Sequence, residues 1–360
     1  MCGILAFFDL NGNYKGSPEE LKALLQKLSH RTWTRGPDGS GYYGGANWGL
    51  AHERLAIMDP EGGHQPIVYE EEGISLVANG EIYNHKELVE KYDLPKMRTG
   101  SDSEPLIQLY QKLGNDMCKE INGIFGFVVT KNDGRDILAA RDHCGIKPLY
   151  IGYGQNGEIW FSSELKAIVD QECKQIEEFP AGYYWTPQTG FVKWYNPIWD
   201  DDSFVPEGDC SKIKETLQKA VERQCMSDVP FGLLLSGGLD SAVVATLLAP
   251  ILKERGIEFK TFSVGMEGSP DITAARMISN YFGTKHHEHI FDADEAVANL
   301  EKIVYHLETY EPELIRSAIP NFFLAQMTSK HVKMVLTGEG SDELFGGYLY
   351  FRDAPDKQGF

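Results

Sequence analysis

The sequence predicts a mixed α/β protein whose two halves are built differently. Residues 1–190 contain many short apolar runs, rich in β-branched and aromatic residues and separated by Gly, Asn and Asp turns, which indicates several strands in a layered sheet structure. Beyond residue 210, strand-like and helix-like runs alternate, which favours a mostly parallel, doubly wound sheet. The acidic, turn-rich stretch 191–209 is predicted to be a linker, so we expect two domains, 1–190 and 210–360.

Helical periodicity appears in the first half at Pro18–Leu28 and Asp102–Leu113, and Ser17 is a plausible N-cap of the first segment. The second half is predicted to begin with a helix at about 210–225. The strands predicted after it are 231–235, 260–265, 285–291 and 332–338, and the helices are 239–253, 271–282, 294–306 and 318–330.

The composition is that of a folded, acidic protein. Of its 360 residues, 42% are hydrophobic and 11% aromatic, which is ample for packed cores. The formal net charge of −19 counts against nucleic-acid and membrane-surface partners, because such a surface repels phosphate. There is no basic leader and no apolar run of membrane-spanning length, and the six cysteines include no C-x-x-C pair. We therefore expect a cytoplasmic protein without a membrane anchor.

The most informative local pattern is a strand-to-helix turn at residues 236–241, SGGLDS, which follows the apolar run Phe231–Leu235. Backbone N–H groups and the helix dipole at such a turn favour phosphate, and two glycines let the backbone approach a ligand. The turn fits neither G-x-x-x-x-G-K-[ST] nor G-x-G-x-x-G. It resembles the pyrophosphate-binding loop (SGGxDS) of the PP-loop ATP pyrophosphatases, which implies ATP as a substrate. An ordinary glycine-rich turn is the alternative.

Cys2 immediately precedes a buried-looking strand, Ile4–Phe8. If Met1 is removed, Cys2 carries both a thiol and a free α-amino group, and that amine can act as the general base for its own thiol. We therefore expect the mature protein to begin at Cys2. A cysteine at position 2 alone is weak evidence for a catalytic nucleophile, and the motifs that accompany it strengthen this interpretation.

Six further motifs accompany Cys2. They read RGPD (35–38), HERLAIMD (52–59), NGEIYN (79–84), SDSE (101–104), GIFGF (123–127) and RDHCGIKPLY (141–150). Together they resemble the glutaminase domain of the class II, N-terminal-nucleophile amidotransferases across essentially all of residues 2–165. The resemblance implies a four-layer αββα sandwich, in which two antiparallel sheets lie between helices. This chain has Thr34 where that family usually has His before RGPD.

The same resemblance implies the residues of a glutamine site. Cys2 attacks the amide carbon of glutamine, while the Asn79 side chain and the Gly80 N–H bind the oxyanion. Arg54 pairs with the substrate carboxylate and Asp102 with its ammonium group. The other expected glutamine contacts are Leu55, Ala56, Ile57, Met58, Asn79, Gly80 and Glu81. Two simpler readings stay open, since Arg54 could form a surface ion pair and Asp102 could cap a helix.

The second half carries motifs that narrow the function. Besides SGGLDS they are SVG (263–265), GSPD (268–271), HLETY (306–310), Arg316 and LTGEGSDELFGGY (336–348). Over nearly its full length the chain resembles the glutamine-hydrolysing asparagine synthetases, carbon–nitrogen ligases that use glutamine as amido donor. The resemblance implies Mg²⁺-dependent transfer of AMP from ATP to the β-carboxylate of aspartate, followed by attack of ammonia derived from glutamine.

The resemblance also implies a nucleotide site in this half. The expected ATP-binding residues are Leu235, Ser236, Gly237, Gly238, Leu239, Asp240, Ser241, Val264, Thr337 and Gly338. Asp240 is the expected Mg²⁺ ligand. Glu339 is the candidate acid/base residue of the aspartyl step, and Asp342 is a candidate second ligand or substrate contact. Both could instead cap a helix that follows a strand.

Two further expectations concern activity and metal binding. Asparagine synthetases continue past Gly-Gly-Tyr with a Glu-Ala-Arg-x-Pro-Phe-Leu-Asp motif and a later lysine, whereas this sequence ends at Phe360. We therefore expect this chain to hydrolyse glutamine but to make little or no asparagine. The alternatives are a glutaminase or a non-catalytic glutamine- or nucleotide-binding protein, and a homodimer is one expected assembly. The KHHEH run at 285–289 lacks a third ligand and is interpreted as structural rather than metal-binding.

Overall fold

A computed structural model describes residues 1–201, 203–204, 209–353 and 355. They fall into two compact units, Met1–Gly208 and Asp209–Phe360. None of the described helices is both long and apolar enough to cross a membrane.

The first unit is built on two antiparallel six-stranded sheets. Its strands are β1 (Gly3–Asp9), β2 (Gly39–Gly44), β3 (Trp48–Arg54), β4 (Ile67–Tyr69), β5 (Ile74–Ile82), β6 (Gly123–Lys131), β7 (Asp136–Arg141), β8 (Tyr150–Gly154), β9 (Glu158–Ser162), β10 (Cys173–Glu178), β11 (Tyr183–Thr186) and β12 (Gly190–Lys193). One sheet, called the β1 sheet, has the order β10-β8-β9-β1-β3-β2, and the other, the β5 sheet, has the order β12-β11-β7-β6-β5-β4. The helices are α1 (Pro18–Ser29), α2 (His85–Lys91) and α3 (Pro105–Leu113), and short 3₁₀ segments lie at His30–Arg35, Gly114–Glu120, Leu165–Ala167 and Ile198–Asp200.

Alternation along β1 shows how the layers are stacked. Phe8 points into a core that also contains Val77 and Val128 of the β5 sheet, whereas its neighbour Phe7 packs on the opposite face with Leu25 of α1. The outer face of the β5 sheet is covered by α2 and α3, which contribute residues to a third core. This arrangement confirms the predicted αββα sandwich, although α2 was not predicted.

Local sequence explains where the helices of the first unit begin. The Ser17 side chain accepts from Glu20 N–H, and the Glu20 carboxylate accepts from Ser17 N–H, so a capping box starts α1 as predicted. Such a cap stabilises a helix by about 1 kcal/mol. The helix α3 begins at Pro105 rather than at Asp102, since proline favours the first turn of a helix.

The predicted linker, 191–209, overlaps the first unit. Residues of β12 pair with β11, and Trp194 is buried in the core beneath α3. An apolar ring in a sheet core cannot belong to an open linker, so the predicted start at 191 lies too early. Residues 202 and 205–208 of that stretch lie outside the described residues.

The second unit is built on a parallel sheet, as predicted. Its strands are β13 (Phe231–Leu234), β14 (Lys260–Gly265), β15 (Lys285–Ile290) and β16 (Met334–Leu336), in the order β15-β14-β13-β16. Its helices are α4 (Ile213–Gln224), α5 (Leu239–Glu254), α6 (Pro270–Phe282), α7 (Ala293–Leu307), α8 (Pro312–Thr328), α9 (Ser341–Phe345) and α10 (Leu349–Arg352). Residues of α4, α5 and α6 pack on one face of the sheet, and residues of α8 pack on the other, which makes the sheet doubly wound.

The helix α8 begins six residues before its predicted start near 318. Pro320 lies inside this helix, whereas proline in a sequence favours a helix start. Two features favour the observed start of α8. Pro312 occupies the first turn, and the Glu311 carboxylate caps the helix by accepting from Leu314 N–H.

Candidate active site

A pocket in the first unit brings together most of the predicted glutamine-site residues. Cys2 precedes β1, Arg54 ends β3, Asn79 and Gly80 lie near the end of β5, and Asp102 lies in the turn before α3. The residues that line the pocket are Met1, Cys2, Arg54, Leu55, Ile57, Met58, Gly63, Gln65, Ala78, Asn79, Gly80, Glu81, Ser101, Asp102, Ser103 and Lys147. The site therefore draws on both sheets of the sandwich.

The backbone around Cys2 is held from several directions. The Arg35 guanidinium donates to the Cys2 carbonyl at 2.9 Å and pairs with Glu164 at 3.1 Å. Leu55 N–H lies 3.4 Å from the Cys2 Sγ. A side chain at Gly3 would collide with the Thr32 hydroxyl, so the residue after the thiol has to be small. These contacts give the sulfur a defined position in the pocket.

The α-amino group at the start of the chain lies in the same pocket. Although the Met1 side chain is 51% exposed, desolvation of the amine lowers its pKa to about 5, against an opposing contribution from Cys2. An amine with that pKa is neutral at pH 7 and can accept a proton. In the structure this amine belongs to Met1, and removal of Met1 would instead free the α-amine of Cys2 itself.

Asn79 and Gly80 have the features of an oxyanion-binding pair. Both polar atoms of the Asn79 side chain are buried and have no hydrogen-bond partner among the described residues. A buried amide left in this state costs about 1–3 kcal/mol, so it fits a ligand-binding role better than a structural one. A side chain at Gly80 would collide with the Ile124 carbonyl on β6, so only glycine lets β5 stay this close to its neighbour.

Arg54 and Asp102 are both buried, which excludes the simpler readings of these two residues. The Arg54 guanidinium donates to the carbonyls of Asp59 at 2.6 Å and Pro60 at 2.9 Å, and so is not a surface ion pair. Because a guanidinium has five N–H donors, this bonding leaves donors for a carboxylate. The Asp102 carboxylate accepts from Ile82 N–H at 2.7 Å rather than capping α3.

Ala56, one of the predicted glutamine contacts, lies in the segment that follows β3. It is not among the residues that line the pocket in the described part of the chain. Its backbone N–H instead donates to the Asp38 carboxylate at 2.8 Å. Asp38 belongs to the RGPD motif, so Ala56 ties that motif to the segment that follows β3.

Lys147 is a pocket residue that the sequence analysis did not select. Burial lowers the pKa of Lys147, while the charge of Glu81 opposes the shift. Burial, together with the charge of Asp102, raises the pKa of Glu81 well above its usual range. The signal was present in RDHCGIKPLY, because Asp142 accepts hydrogen bonds from Phe125, Cys144, Ile146 and Lys147 N–H and fixes the segment that carries the lysine.

In the second unit, the SGGLDS segment forms the predicted turn between β13 and α5. The Ser236 hydroxyl lies 3.0 Å from that of Ser241 and accepts from Gly238 N–H at 3.2 Å. Gly237 has a φ of +86°, and a side chain there would lie 2.6 Å from the Asp271 carbonyl. Leu239 is 78% exposed. The turn therefore has a defined shape that depends on glycine, at the start of a long helix.

Other predicted nucleotide-site residues lie at the carboxyl ends of neighbouring parallel strands. Gly338, just after β16, is packed so closely against Asp240 that a side chain would lie 3.0 Å from it. Val264 is on β14, and the Ser263 hydroxyl donates to the Leu235 carbonyl. In parallel sheets of this type, ligands bind outside these strand ends.

Glu339 and Asp342 follow the same edge of the sheet. Glu339 is exposed, and its N–H donates to the Thr337 hydroxyl at 3.2 Å. The helix α9 begins at Ser341 after Gly340 and has no side-chain cap. Neither carboxylate therefore has the capping role that the sequence left open.

The donor set at the turn is compatible with a phosphate-bound cation. Among the described residues, no group of three His, Cys, Asp or Glu side chains is placed to hold a metal ion. Asp240 is a single carboxylate, and Mg²⁺ is commonly bound by one or two carboxylates with substrate phosphates and water. In the KHHEH strand, the ring of His287 instead stacks on His331 at 3.9 Å.

Comparison with known proteins agrees with this geometry. A family model described as glutamine amidotransferase domain matches residues 1–215. The chain belongs to the glutamine amidotransferase domain family. A second model, described as asparagine synthase, matches residues 212–359. Both resemblances drawn from the motifs are thereby confirmed.

Relatives of this amidotransferase domain protein include plant enzymes. Asparagine synthetase [glutamine-hydrolyzing] 3 of Arabidopsis thaliana is 44% identical over 370 residues, which cover 100% of this chain and 63% of the relative. Asparagine synthetase [glutamine-hydrolyzing] of Zea mays is 42% identical, with 100% and 62% covered. The chain thus spans less than two thirds of the length of these relatives. A solved structure described as the allosteric regulatory enzyme of purine biosynthesis is 14% identical with a TM-score of 0.47, covering 88% of this chain and 91% of that one.

Proposed function

We propose that this chain acts in glutamine-dependent asparagine synthesis, converting ATP, L-aspartate and L-glutamine to L-asparagine, AMP, pyrophosphate and L-glutamate. In this proposal the first unit, Met1–Gly208, contains a glutaminase domain, and the second, Asp209–Phe360, contains a PP-loop synthetase domain. The observation that carries it is the convergence of Cys2 with the unpartnered Asn79 amide, Arg54 and Asp102 in one pocket. The names of the relatives support the second half of the reaction.

The glutaminase step follows from the chemistry of these groups. The neutral α-amine takes the Cys2 proton, and the sulfur forms a bond to the amide carbon of glutamine. The amide nitrogen of Asn79 and the Gly80 N–H donate to the oxyanion. Collapse of the intermediate breaks the C–N bond and releases ammonia, which carries the proton from the amine. Water then hydrolyses the thioester to glutamate and restores the thiol.

The charged pocket residues select an amino acid. The Arg54 guanidinium binds the substrate α-carboxylate, and the Asp102 carboxylate binds its ammonium group, with Glu81 nearby. The charges of Arg54 and Asp102 are buried, so a substrate that lacks either group would leave a desolvated charge unpaired. That penalty favours a free amino acid over a simple amide.

The synthetase step is assigned to the second unit. The backbone of residues 236–241 and the N-terminus of α5 bind pyrophosphate, and Leu235, Val264 and Gly338 border the adenosine. Asp240 holds Mg²⁺, which offsets phosphate charge when bound. Glu339 and Asp342 act on aspartate. The net charge of −19 supports small-molecule partners rather than nucleic acid or membranes, and six free cysteines support a cytoplasmic location.

The first test replaces the nucleophile. Cys2→Ala should abolish glutamate release from glutamine while ATP binding persists, and a form that retains Met1 should also be inactive. Cys144→Ala is the matched control, because Cys144 is an exposed cysteine outside the pocket lining. Substantial glutaminase activity in the Cys2→Ala variant would remove the assignment.

The second test measures pyrophosphate release from ATP with aspartate and ammonia supplied. Release that depends on aspartate supports asparagine synthesis. Glutamine hydrolysis without any aspartate-dependent release would identify a glutaminase instead.

A further inference from the structure

Ala78, next to the proposed oxyanion site, pairs with Phe127 of β6 on one side of β5, whereas side chains bind its N–H and its carbonyl. In the pairing of β4 with β5, Ile67 lies opposite Leu76, and two further steps of that register would place Gln65 opposite Ala78. The strand β4 extends only over Ile67–Tyr69, so no ladder forms there. Instead the Gln65 Oε1 accepts from Ala78 N–H at 2.7 Å.

The Ala78 carbonyl is bound from the other sheet. His52 lies on β3 of the β1 sheet, is fully buried, and its Nε2 is 3.1 Å from the Ala78 oxygen. Because a carbonyl only accepts, the hydrogen of the ring must be on Nε2. Burial lowers the pKa of His52 to about 4, so the ring is neutral and keeps this tautomer near pH 7.

Gly41 shows that the arrangement is tightly built. It pairs directly with His52 across β2 and β3. A side chain at Gly41 would collide with the Gln65 carbonyl and approach Pro66. The small residue therefore lets the Gln65 backbone come close enough for its side chain to reach Ala78.

Asn79 follows Ala78 directly, and its own side chain has no hydrogen-bond partner among the described residues. Its direction is therefore set by the backbone of β5, which pairs with β6 and which Gln65 and His52 bind at Ala78. We propose that His52 and Gln65 are positioning residues for glutamine hydrolysis: together they fix the Ala78 peptide and thereby aim the Asn79 amide and the Gly80 N–H at the oxyanion. This inference rests on the glutaminase activity proposed above.

The proposal has a kinetic signature. The oxyanion exists only after Cys2 attacks, so misaimed donors weaken the transition state and leave glutamine binding unchanged. Removal of a whole oxyanion donor costs about 10²–10³-fold in kcat. Donors that are misaligned but present should cost about 10-fold.

The experiment compares paired variants of the full chain. His52→Leu and Gln65→Met remove the donor and the acceptor at similar volume, whereas His52→Gln and Gln65→Glu keep them. Gln175→Met is the matched control, because Gln175 is exposed on β10 outside the pocket lining. The measurements are kcat and KM for glutamine, and the binding of L-glutamate and of L-glutamate γ-semialdehyde. This aldehyde adds the Cys2 sulfur to its carbonyl carbon, which places an oxygen where the oxyanion forms.

We expect His52→Leu and Gln65→Met to lower kcat about 10-fold, with KM within about 2-fold of wild type. Both should weaken aldehyde binding by a similar factor and leave glutamate binding unchanged. The variants that keep the donor or acceptor should restore most of each loss. A merely structural role would weaken glutamate and aldehyde binding together.

Three results would overturn the inference, and each would identify a different reason for its failure. A kcat within 2-fold of wild type in both His52→Leu and Gln65→Met shows that the Ala78 contacts do not aim the donors. Equal losses in glutamate and aldehyde binding show general damage to the pocket. A wild-type chain that hydrolyses no glutamine removes the proposed function itself, because there is then no oxyanion to bind.

Discussion

The two candidate sites of this chain differ in how much of their geometry is set before a ligand arrives. In the first unit, the charged groups lie in a pocket, and Arg54 and Asp102 are held by backbone hydrogen bonds. In the second, the predicted phosphate site is one exposed turn whose serines bond mainly to each other and to glycine. Preorganised charges raise the rate of a reaction, whereas an open turn relies on its ligand to complete the site. We therefore expect glutamine hydrolysis to be sensitive to the loss of single polar atoms in the pocket. ATP binding should instead be sensitive to changes in the backbone conformation of the turn.

The largest effect after loss of the nucleophile should come from Asn79→Ala. It removes one oxyanion donor, so kcat for glutamine should fall about 10²–10³-fold with little change in KM. Steady-state kinetics measures this, and Asn280→Ala on the exposed surface of α6 is the control. If kcat stays within a few-fold of wild type, the unpartnered amide serves another purpose.

Asp102→Asn and Arg54→Met test the buried charges. Each leaves one charge of the glutamine zwitterion unpaired in the pocket, so KM should rise about 10²-fold. Arg54→Met should also loosen the segment 58–60, because three carbonyls lose their donor. Wild-type KM in both variants would mean that glutamine binds elsewhere.

Gly237→Ala tests the backbone conformation of the SGGLDS turn in the second unit. Its φ of +86° and the nearby Asp271 carbonyl should force the turn to change shape. We expect about 10-fold weaker ATP binding, measured by calorimetry, and unchanged glutamine hydrolysis. Gly283→Ala at the end of α6 is the matched control, because Gly283 also has a positive φ but a side chain there would meet nothing within 4 Å. Unaltered ATP binding by the Gly237 variant would place the nucleotide away from this turn.

The last prediction concerns the stability of the fold and its dependence on pH rather than the rate of a reaction. The pKa of His52 is lowered to about 4 by burial, so the unfolded chain binds the proton more readily. The stability that neutral His52 contributes is fully present above about pH 6.5 and is lost as pH falls towards 4. Linkage gives about 3 kcal/mol in the free energy of unfolding over that range. Denaturation curves at several pH values give the free energy of unfolding as a function of pH. Between pH 6.5 and 4 this free energy should fall less steeply for His52→Gln than for wild type. An equal fall in both would show that His52 is not the group responsible.

Whether a site residue could be predicted from the sequence depends on whether its role is visible within its own motif. Cys2, Asn79 and the SGGLDS turn were selected because their motifs resemble those of known families, and the structure places Cys2 and Asn79 in one pocket. Lys147 was not selected although its motif contains Asp142, which fixes the segment, because the motif alone does not show which side chain enters the pocket. Gln65 was missed for a different reason: its partner Ala78 is thirteen residues away and is reached only because β4 is so short. The parallel sheet was predictable from alternation, but the start of α8 was not, because Pro320 is tolerated inside it.

The glutamine pocket also spans the interface between two layers of the sandwich. Cys2 and Arg54 belong to the β1 sheet, Asn79 and Gly80 to the β5 sheet, and the His52–Ala78 hydrogen bond crosses from one to the other. The distance from nucleophile to oxyanion donors is therefore set by the thickness of the core that contains Phe8, Val77 and Val128. The rate of glutamine hydrolysis should therefore depend on the spacing between the two sheets. A large-to-small substitution that leaves a cavity in that core should slow the reaction, although the substituted residue contacts no substrate.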